Sequence, residues 1–196
     1  MKAAIVPAAG RSTRMGAQKL LLPYGGTTVV GRIVDQLLES VIEQVIVVVG
    51  PHGRSVAAEL ARRPVCIVTN AERDADMLSS VRCGLRALPQ PCDAVLVVLG
   101  DQPAVTSALV DEMVRTFDEA GKGILVPLHG GRRGHPILFS ARYRDEILQR
   151  YDGVGLRGLL RAHPDDTLQM CVSTPAVLSN LNRPEDYRRE TGRFRP

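Results

Sequence analysis

The sequence contains no tryptophan, and all aromatic residues together make up only 4% of its 196 residues. Proteins that bind single-stranded nucleic acid stack the bases on aromatic side chains, so this scarcity argues against nucleic acid as a partner. The formal net charge is nevertheless +4, which suits other anionic partners without naming them.

The sequence also lacks any apolar run as long as a membrane span. The amino terminus has no charged segment followed by a long apolar segment and a cleavage site, which a secretory signal requires. We therefore expect a cytoplasmic protein that has no membrane partner.

Cysteine is scarce and scattered along the chain. Cys66, Cys83, Cys92 and Cys171 form no C-x-x-C pair, and no histidine lies at ligand spacing from them. This pattern argues against a zinc site and against a disulfide scaffold. We assign no function to the four cysteines.

Apolar strands and amphipathic helices alternate along the first half of the chain. The strands are predicted at 3–6, 44–50, 65–69 and 94–99. Uninterrupted Val, Ile and Leu strands joined by helices are typical of an α/β fold with three layers, in which a doubly wound, mostly parallel sheet lies between helices. The length of the chain suits one such domain, 1–196.

The second half predicts a small antiparallel addition to this sheet. Segments 124–128 and 137–139 read as a hairpin at the sheet edge, and 168–172 and 176–178 read as two further strands. The motif G-x-G-x-x-G at 153–158 follows a helical pattern and not a strand, so we interpret it as a turn that opens a short helix.

The opening strand runs directly into a loop of small residues. Ala8, Ala9, Gly10 and Gly16 leave the backbone open, so that a ligand can lie against its N–H groups. No G-x-x-x-x-G-K-[ST] motif is present, which disfavours P-loop kinases and GTPases.

The same loop is rich in positive charge, since Arg11, Arg14 and Lys19 lie within nine residues. A polyphosphate suits this cluster. Cleavage of a nucleoside triphosphate between its α- and β-phosphates releases pyrophosphate, whose developing charge fixed cations stabilise. Arg14 and Lys19 are our candidates for this task, and the competing interpretation is a flexible surface loop.

Polar residues follow two of the predicted strands, at the edge where ligands bind to sheets of this type. Asn70 follows the third strand, and Asp101 follows the fourth. The Asp101 carboxylate is suited to bind Mg²⁺, but an aspartate here also suits the start of the next helix. Spacing alone leaves both interpretations open.

A basic segment, 129–136, joins the two strands of the predicted hairpin. It contains two arginines and two histidines that are suited to a second anion. On charge alone we favour the simpler interpretation, a solvated basic turn.

Three stretches resemble one known family. PAAGRSTRMGAQKLLLPYGG at 7–26, GDQP at 100–103 and GRRGHP at 131–136 resemble the MobA-like nucleotidyltransferases, and most of all their molybdenum cofactor cytidylyltransferase branch. The resemblance implies a fold like that of the nucleotide-diphospho-sugar transferases, which is Rossmann-like. It also implies a reaction: CMP is transferred from CTP to the terminal phosphate of molybdopterin, and pyrophosphate is released.

The resemblance also implies a role for individual residues. It places a nucleotide-binding half at 1–105 and an acceptor-binding half at 106–196. It implies Arg14, Lys19 and Asp101 as catalytic residues, with Mg²⁺ bound by Asp101 and Asn182. The implied nucleotide-binding residues are Ala8, Ala9, Gly10, Arg11, Ser12, Met15, Gly16, Asn70, Ser79 and Ser80, and the implied acceptor-binding residues are Arg132, Arg133 and His135.

The sequence departs from the cytidylyltransferase pattern at several positions. Asp76 stands where glycine is usual, Pro7 where leucine is usual, and Asn182 where an aspartate is usual. The asparagine is typical of the guanylyl type, so GTP is a competing nucleotide. The remaining candidate functions are a methylerythritol-phosphate-type transferase, an NAD(P)H-dependent oxidoreductase, and a non-catalytic carrier of the molybdenum cofactor that serves a molybdoenzyme or its chaperone.

Overall fold

The computed structural model describes residues 1–10, 18–72 and 76–192. Ten strands and seven α-helices are found in these ranges. In chain order they are β1 (Lys2–Ala8), β2 (Pro23–Tyr24), β3 (Thr27–Thr28), α1 (Val29–Leu38), β4 (Gln44–Val49), α2 (Arg54–Leu60), β5 (Cys66–Thr69), α3 (Met77–Arg86), β6 (Ala94–Val97), α4 (Ser107–Ala120), β7 (Ile124–His129), β8 (Arg132–Arg133), β9 (Ile137–Ser140), α5 (Arg144–Gln149), α6 (Leu156–Ala162), β10 (Thr167–Cys171) and α7 (Pro184–Thr191).

One sheet organises the molecule. Its strands lie in the order β10, β7, β9, β6, β1, β4, β5, and β8 pairs with β7. The neighbours of β1, which are β4 and β6, both run parallel to it, and β5 runs parallel to β4. Among the described strands of this sheet, only β8 and β9 pair antiparallel with their neighbours, and β2 and β3 form a separate antiparallel pair. The predicted α/β fold class is therefore confirmed.

The sheet is covered on both faces because its central strands are apolar on both. In β1, Ala4 and Val6 pack into one cluster of buried residues with α1 and α4, whereas Ala3 and Ile5 pack into a second cluster with α3, α5 and α6. Successive side chains of a strand point to opposite faces, so such a strand needs helices on either side.

The predicted hairpin forms, but not at the sheet edge. Strands β7 and β9 pair antiparallel, and β9 lies between β7 and β6, while β10 forms the edge. The physical reason is backbone pairing, because β9 bonds to β6 on one side and to β7 on the other, and in this position Ile137, Leu138 and Phe139 are at most 3% exposed. The prediction of a strand at 176–178 is wrong, since Pro175–Leu178 is a 3-10 helix.

The topology brings the carboxyl ends of β1, β4, β5 and β6 to one edge of the sheet, because these strands are parallel. The residues that follow them therefore gather at that edge. No helix among the described residues has the combination of length and apolar character that crossing a bilayer demands.

Candidate functional site

The site is centred on an ion pair between the first and the middle parts of the chain. The Lys19 ammonium lies 2.6 Å from Oδ2 of Asp101, and each side chain is 15% exposed. The same ammonium lies 3.5 Å from Oδ1 of Asn182. The structure thus brings together Lys19, Asp101 and Asn182, three of the residues that the sequence predicted as site residues.

Glycine allows Asp101 to take this position. A side chain at Gly100 would place its Cβ 2.8 Å from the Pro7 carbonyl oxygen, so only glycine lets this turn lie against the end of β1. The carbonyl of Asp101 also accepts a 2.9 Å hydrogen bond from the Leu181 amide. This bond joins the turn after β6 to the segment that carries Asn182.

The donor set at this point fits a magnesium ion. A carboxylate oxygen and an amide oxygen converge on one cation, the Lys19 ammonium, and hard oxygen ligands are those that Mg²⁺ prefers. Within 1–10, 18–72 and 76–192 no cluster of three or more His, Cys, Asp or Glu side chains can hold a metal by itself. A metal here would therefore need further oxygen ligands from water or from a bound phosphate.

A first cavity, of about 250 Å³, adjoins this ion pair. Its wall includes the small residues Ala8, Ala9 and Gly10 at the end of β1, as well as Ser80 from α3. These four residues were predicted to bind nucleotide, and the structure places them around one space. The other predictions for the opening loop, Arg11, Ser12, Arg14, Met15 and Gly16, lie outside the described residues.

Two residues predicted to bind nucleotide, Asn70 and Ser79, do not line this cavity and bond to each other. Nδ2 of Asn70 donates a 2.5 Å hydrogen bond to the Ser79 hydroxyl, and Oδ1 of Asn70 accepts from the Glu72 amide. Asp76 accepts from the Ser79 amide at 2.7 Å and so caps α3. In this arrangement Asn70 and Ser79 position the start of α3, while Asp76 lines the cavity.

A second, larger cavity of about 640 Å³ lies beside the first and shares Leu99 and Asn180 with it. Arg132, Arg133 and His135, the predicted acceptor-binding residues, all line this space. Asn182 lies in the same wall, so the second cavity reaches the ion-pair centre.

Sequence reasoning missed three arginines of this second cavity, namely Arg157 and Arg161 on α6 and Arg189 on α7. Two signals were available. Arg157 belongs to the glycine motif at 153–158, and Arg189 belongs to the arginine-rich end of the chain. Neither signal shows by itself that α6 and α7 converge, because that depends on the tertiary packing.

His135 contributes a neutral imidazole to this basic wall. Its Nε2 is shielded from solvent and has no hydrogen-bond partner among the described residues. The pKa of His135 is lowered from 6.5 to about 4, chiefly because burial disfavours the charged imidazolium; the Asp101 charge opposes this shift, and the smaller effect of the Arg157 charge adds to it. At neutral pH this side chain is therefore uncharged.

The half-buried His135 predicts a loss of stability in acid. The unfolded chain binds a proton at this histidine below pH 6.5, whereas the folded chain binds it only below about pH 4. The free energy of unfolding should therefore fall by about 3 kcal/mol between these two pH values. Urea unfolding of the wild type and of His135→Gln at pH 7, 5.5 and 4.5 measures this, and equal acid losses in both proteins would contradict it.

Comparison with known proteins identifies the family. The MobA-like NTP transferase domain matches residues 4–167, which include most of β1, Lys19, Asp101 and the basic segment 129–136. The chain belongs to the MobA-like NTP transferase family. Sequence reasoning predicted this family and its nucleotidyltransferase activity, and both predictions are confirmed.

Individual relatives of this MobA-like chain carry different names. It is 26% identical to the molybdenum cofactor cytidylyltransferase of Escherichia coli, over 93% of this chain and 92% of the relative. It is 30% identical to a probable molybdenum cofactor guanylyltransferase of Mycobacterium ulcerans, over 94% and 90% of the two chains. It is also 30% identical to the nicotine blue oxidoreductase of Paenarthrobacter nicotinovorans, over 82% and 81%.

The family's fold is also found among solved structures. A nucleotidyl transferase from Methanothermobacter thermautotroptrophicus superposes with a TM-score of 0.87, at 30% identity and over 99% of this chain and 97% of that one. The likeness extends over both halves of the chain.

Proposed function

We propose that this protein transfers CMP from CTP to the terminal phosphate of molybdopterin, with Mg²⁺, and releases pyrophosphate. The observation that supports this reaction best is the position of the two cavities. They meet at Lys19, Asp101 and Asn182, so a triphosphate in the first and an anionic acceptor in the second would react at that junction.

The residues where the two cavities meet would act chiefly by neutralising the negative charge of the phosphates. Mg²⁺, held by Asp101 and Asn182, would supply Lewis-acid neutralisation of the phosphate oxygens. Lys19 would leave Asp101 and donate to the triphosphate, where it stabilises the negative charge of the departing pyrophosphate. A terminal phosphate is already ionised at neutral pH, so no general base is needed; the low pKa of His135 makes its imidazole a weak base, which agrees with this.

The basic wall of the second cavity supports an acceptor with anionic groups. Among the described residues, five arginines line this cavity against a single carboxylate, Asp186. That carboxylate already accepts hydrogen bonds from the amides of Asn182 and Arg183 and from Arg189. Such an excess of cations stabilises a phosphorylated ligand.

The arginines that line the second cavity lead to a prediction for Arg157. Replacing Arg157 by glutamine should raise the KM for the acceptor about tenfold, because one cation–phosphate interaction contributes about 1.5 kcal/mol. The KM for CTP should stay within a factor of about two, since Arg157 does not line the first cavity. Steady-state kinetics with each substrate varied in turn would measure both, and an equal change in the two constants would contradict the assignment of the second cavity to the acceptor.

The choice of CTP depends on few residues. Ala8-Ala9-Gly10 has alanine where the guanylyl branch tends to have a second glycine, which favours CTP, whereas Asn182 follows the guanylyl pattern. Both nucleotides must therefore be compared directly. We further propose a cytoplasmic location, and a molybdoenzyme or its chaperone as recipient of the product.

The nicotine blue oxidoreductase relative favours a second candidate, the NAD(P)H-dependent oxidoreductase that the sequence left open. Thermal-shift measurements against CTP, GTP and NADPH, each with and without Mg²⁺, separate the two. We expect stabilisation by CTP that increases with Mg²⁺, and pyrophosphate release when molybdopterin is added. Stabilisation by NADPH alone, with none by either triphosphate, would overturn the proposal.

A further inference from the structure

Gln102 is a deeply buried polar side chain beside the site, at 1% exposed. It directly follows Asp101, and its Nε2 donates two hydrogen bonds, at 2.7 Å to Oδ1 of Asn180 and at 3.2 Å to the carbonyl of Val177. Both acceptors belong to the segment 177–182, which ends in Asn182. These two bonds connect Gln102, the residue next to Asp101, to the segment that contains Asn182.

The same segment is joined to the site at two further points. The Leu181 amide donates to the Asp101 carbonyl at 2.9 Å, and the Asn182 amide donates to the Asn180 carbonyl at 3.1 Å. The position of Asn182 relative to Asp101 therefore depends on hydrogen bonds that pass through Asn180 and Leu181.

The carbonyl of Val177 connects Gln102 to the second cavity as well. It accepts a 2.9 Å hydrogen bond from the His135 amide in addition to the bond from Gln102. A Cβ at Gly134 would collide with this carbonyl, so the basic segment lies directly against it. The side-chain amide of Gln102 therefore fixes the position of Asn182 and also the position of the backbone of the basic segment 129–136.

We propose that Gln102 is a positioning residue that sets the distance between Asp101 and Asn182, and through it the affinity for the metal. This inference rests on the proposed function, in which those two residues hold Mg²⁺. Gln102 lines the second cavity and not the first, so in this assignment it lies apart from the nucleotide and acts on the metal site through Asn180 and Val177. Replacing a residue that positions a metal ligand without binding the metal itself typically lowers the metal affinity about 10- to 100-fold.

Gln102→Met removes both hydrogen bonds and keeps the length of the side chain. We expect the Kd for Mn²⁺, measured by electron paramagnetic resonance in the presence of a non-hydrolysable CTP analogue, to rise about tenfold. The Kd for the analogue without metal should stay unchanged. Gln36→Met is the matched control, because Gln36 is also a buried glutamine that bonds two elements, but it lies outside both cavities.

A double-mutant cycle tests whether the effect passes through Asn182. In the Asn182→Ala background, Gln102→Met should cause no further loss of Mn²⁺ affinity. Asn180→Ala breaks the stronger of the two bonds from the other side and should weaken Mn²⁺ binding in the same way, so the test does not depend on one variant folding. Circular dichroism melting confirms that each variant is folded.

The outcomes separate the inference from the proposed function. If the wild type binds Mn²⁺ with the analogue but Gln102→Met and Asn180→Ala bind it equally well, the positioning role is wrong and the proposed function stands. A further loss in the Asn182→Ala background also overturns it. If the wild type binds neither the analogue nor Mn²⁺, the proposed function fails first, and the inference fails with it.

Discussion

Replacing Asp101 by asparagine should lower the rate of pyrophosphate release about a thousandfold, the loss typical of removing a principal electrostatic group from a reaction centre. Asparagine keeps the shape of the side chain but removes the negative charge that a divalent cation requires. The change also leaves the Lys19 ammonium, 15% exposed, without its carboxylate partner 2.6 Å away. Single-turnover assays with CTP and acceptor at several Mg²⁺ concentrations would measure the loss.

Asp35→Asn is a matched control for this experiment. Asp35 forms a similar, partly buried ion pair, with its Oδ1 2.6 Å from Nε of Arg63, but neither residue lines a cavity of the site. It should therefore lower stability without lowering the rate per folded molecule. If Asp101→Asn retained about a tenth of the wild-type rate with the same Mg²⁺ dependence, Asp101 would not be the metal ligand.

Lys19→Met should have two effects of opposite sign. The rate of pyrophosphate release should fall about 100- to 1000-fold, because the cation that stabilises the leaving group is lost. The nucleotide-free protein should bind Mn²⁺ more tightly than the wild type, because the ammonium that lies against Asp101 and Asn182 competes with the metal for the same oxygens. Radiometric turnover and paramagnetic resonance titration measure the two effects separately.

The matched control for this variant is Lys2→Met. Lys2 also pairs with an aspartate, Asp118, at 3.0 Å, but at the other end of β1. Neither turnover nor Mn²⁺ binding should change in that variant. A Lys19→Met protein with lower turnover and also weaker Mn²⁺ binding would show that the lysine does not compete with the metal.

Local patterns in the sequence were sufficient for the class of fold and for the position along the chain of the small residues that end the first strand. A strand that is apolar on both faces, such as β1, is suited to a covered position in a parallel sheet, because helices on either side then satisfy both faces. The small residues after it, Ala8 to Gly10, then had to lie at the carboxyl edge. Both features depend on neighbours within a few residues, which is the range over which periodicity carries information.

Parts of the site could not be assigned from local patterns. Spacing left Asp101 open between a metal ligand and a helix start, and its place in the site depends on Lys19 and Asn182. Lys19 lies 82 positions before Asp101 and 163 positions before Asn182, so no local pattern relates the three. The placement of β9 inside the sheet was likewise not visible in its sequence, since a buried hairpin strand has the same apolar pattern wherever it inserts.

By itself, the sequence determined a mostly parallel α/β sheet, a stretch of small and basic residues after its first strand, and polar residues at the strand ends. Only the tertiary structure decided which of these side chains meet. It brought Arg157, Arg161 and Arg189 from two helices into one wall, and it placed the buried amide of Gln102 behind Asn182. The physical reason is that such contacts depend on the order of the strands and on how the helices pack across them, and neither is encoded by the spacing of residues along one segment.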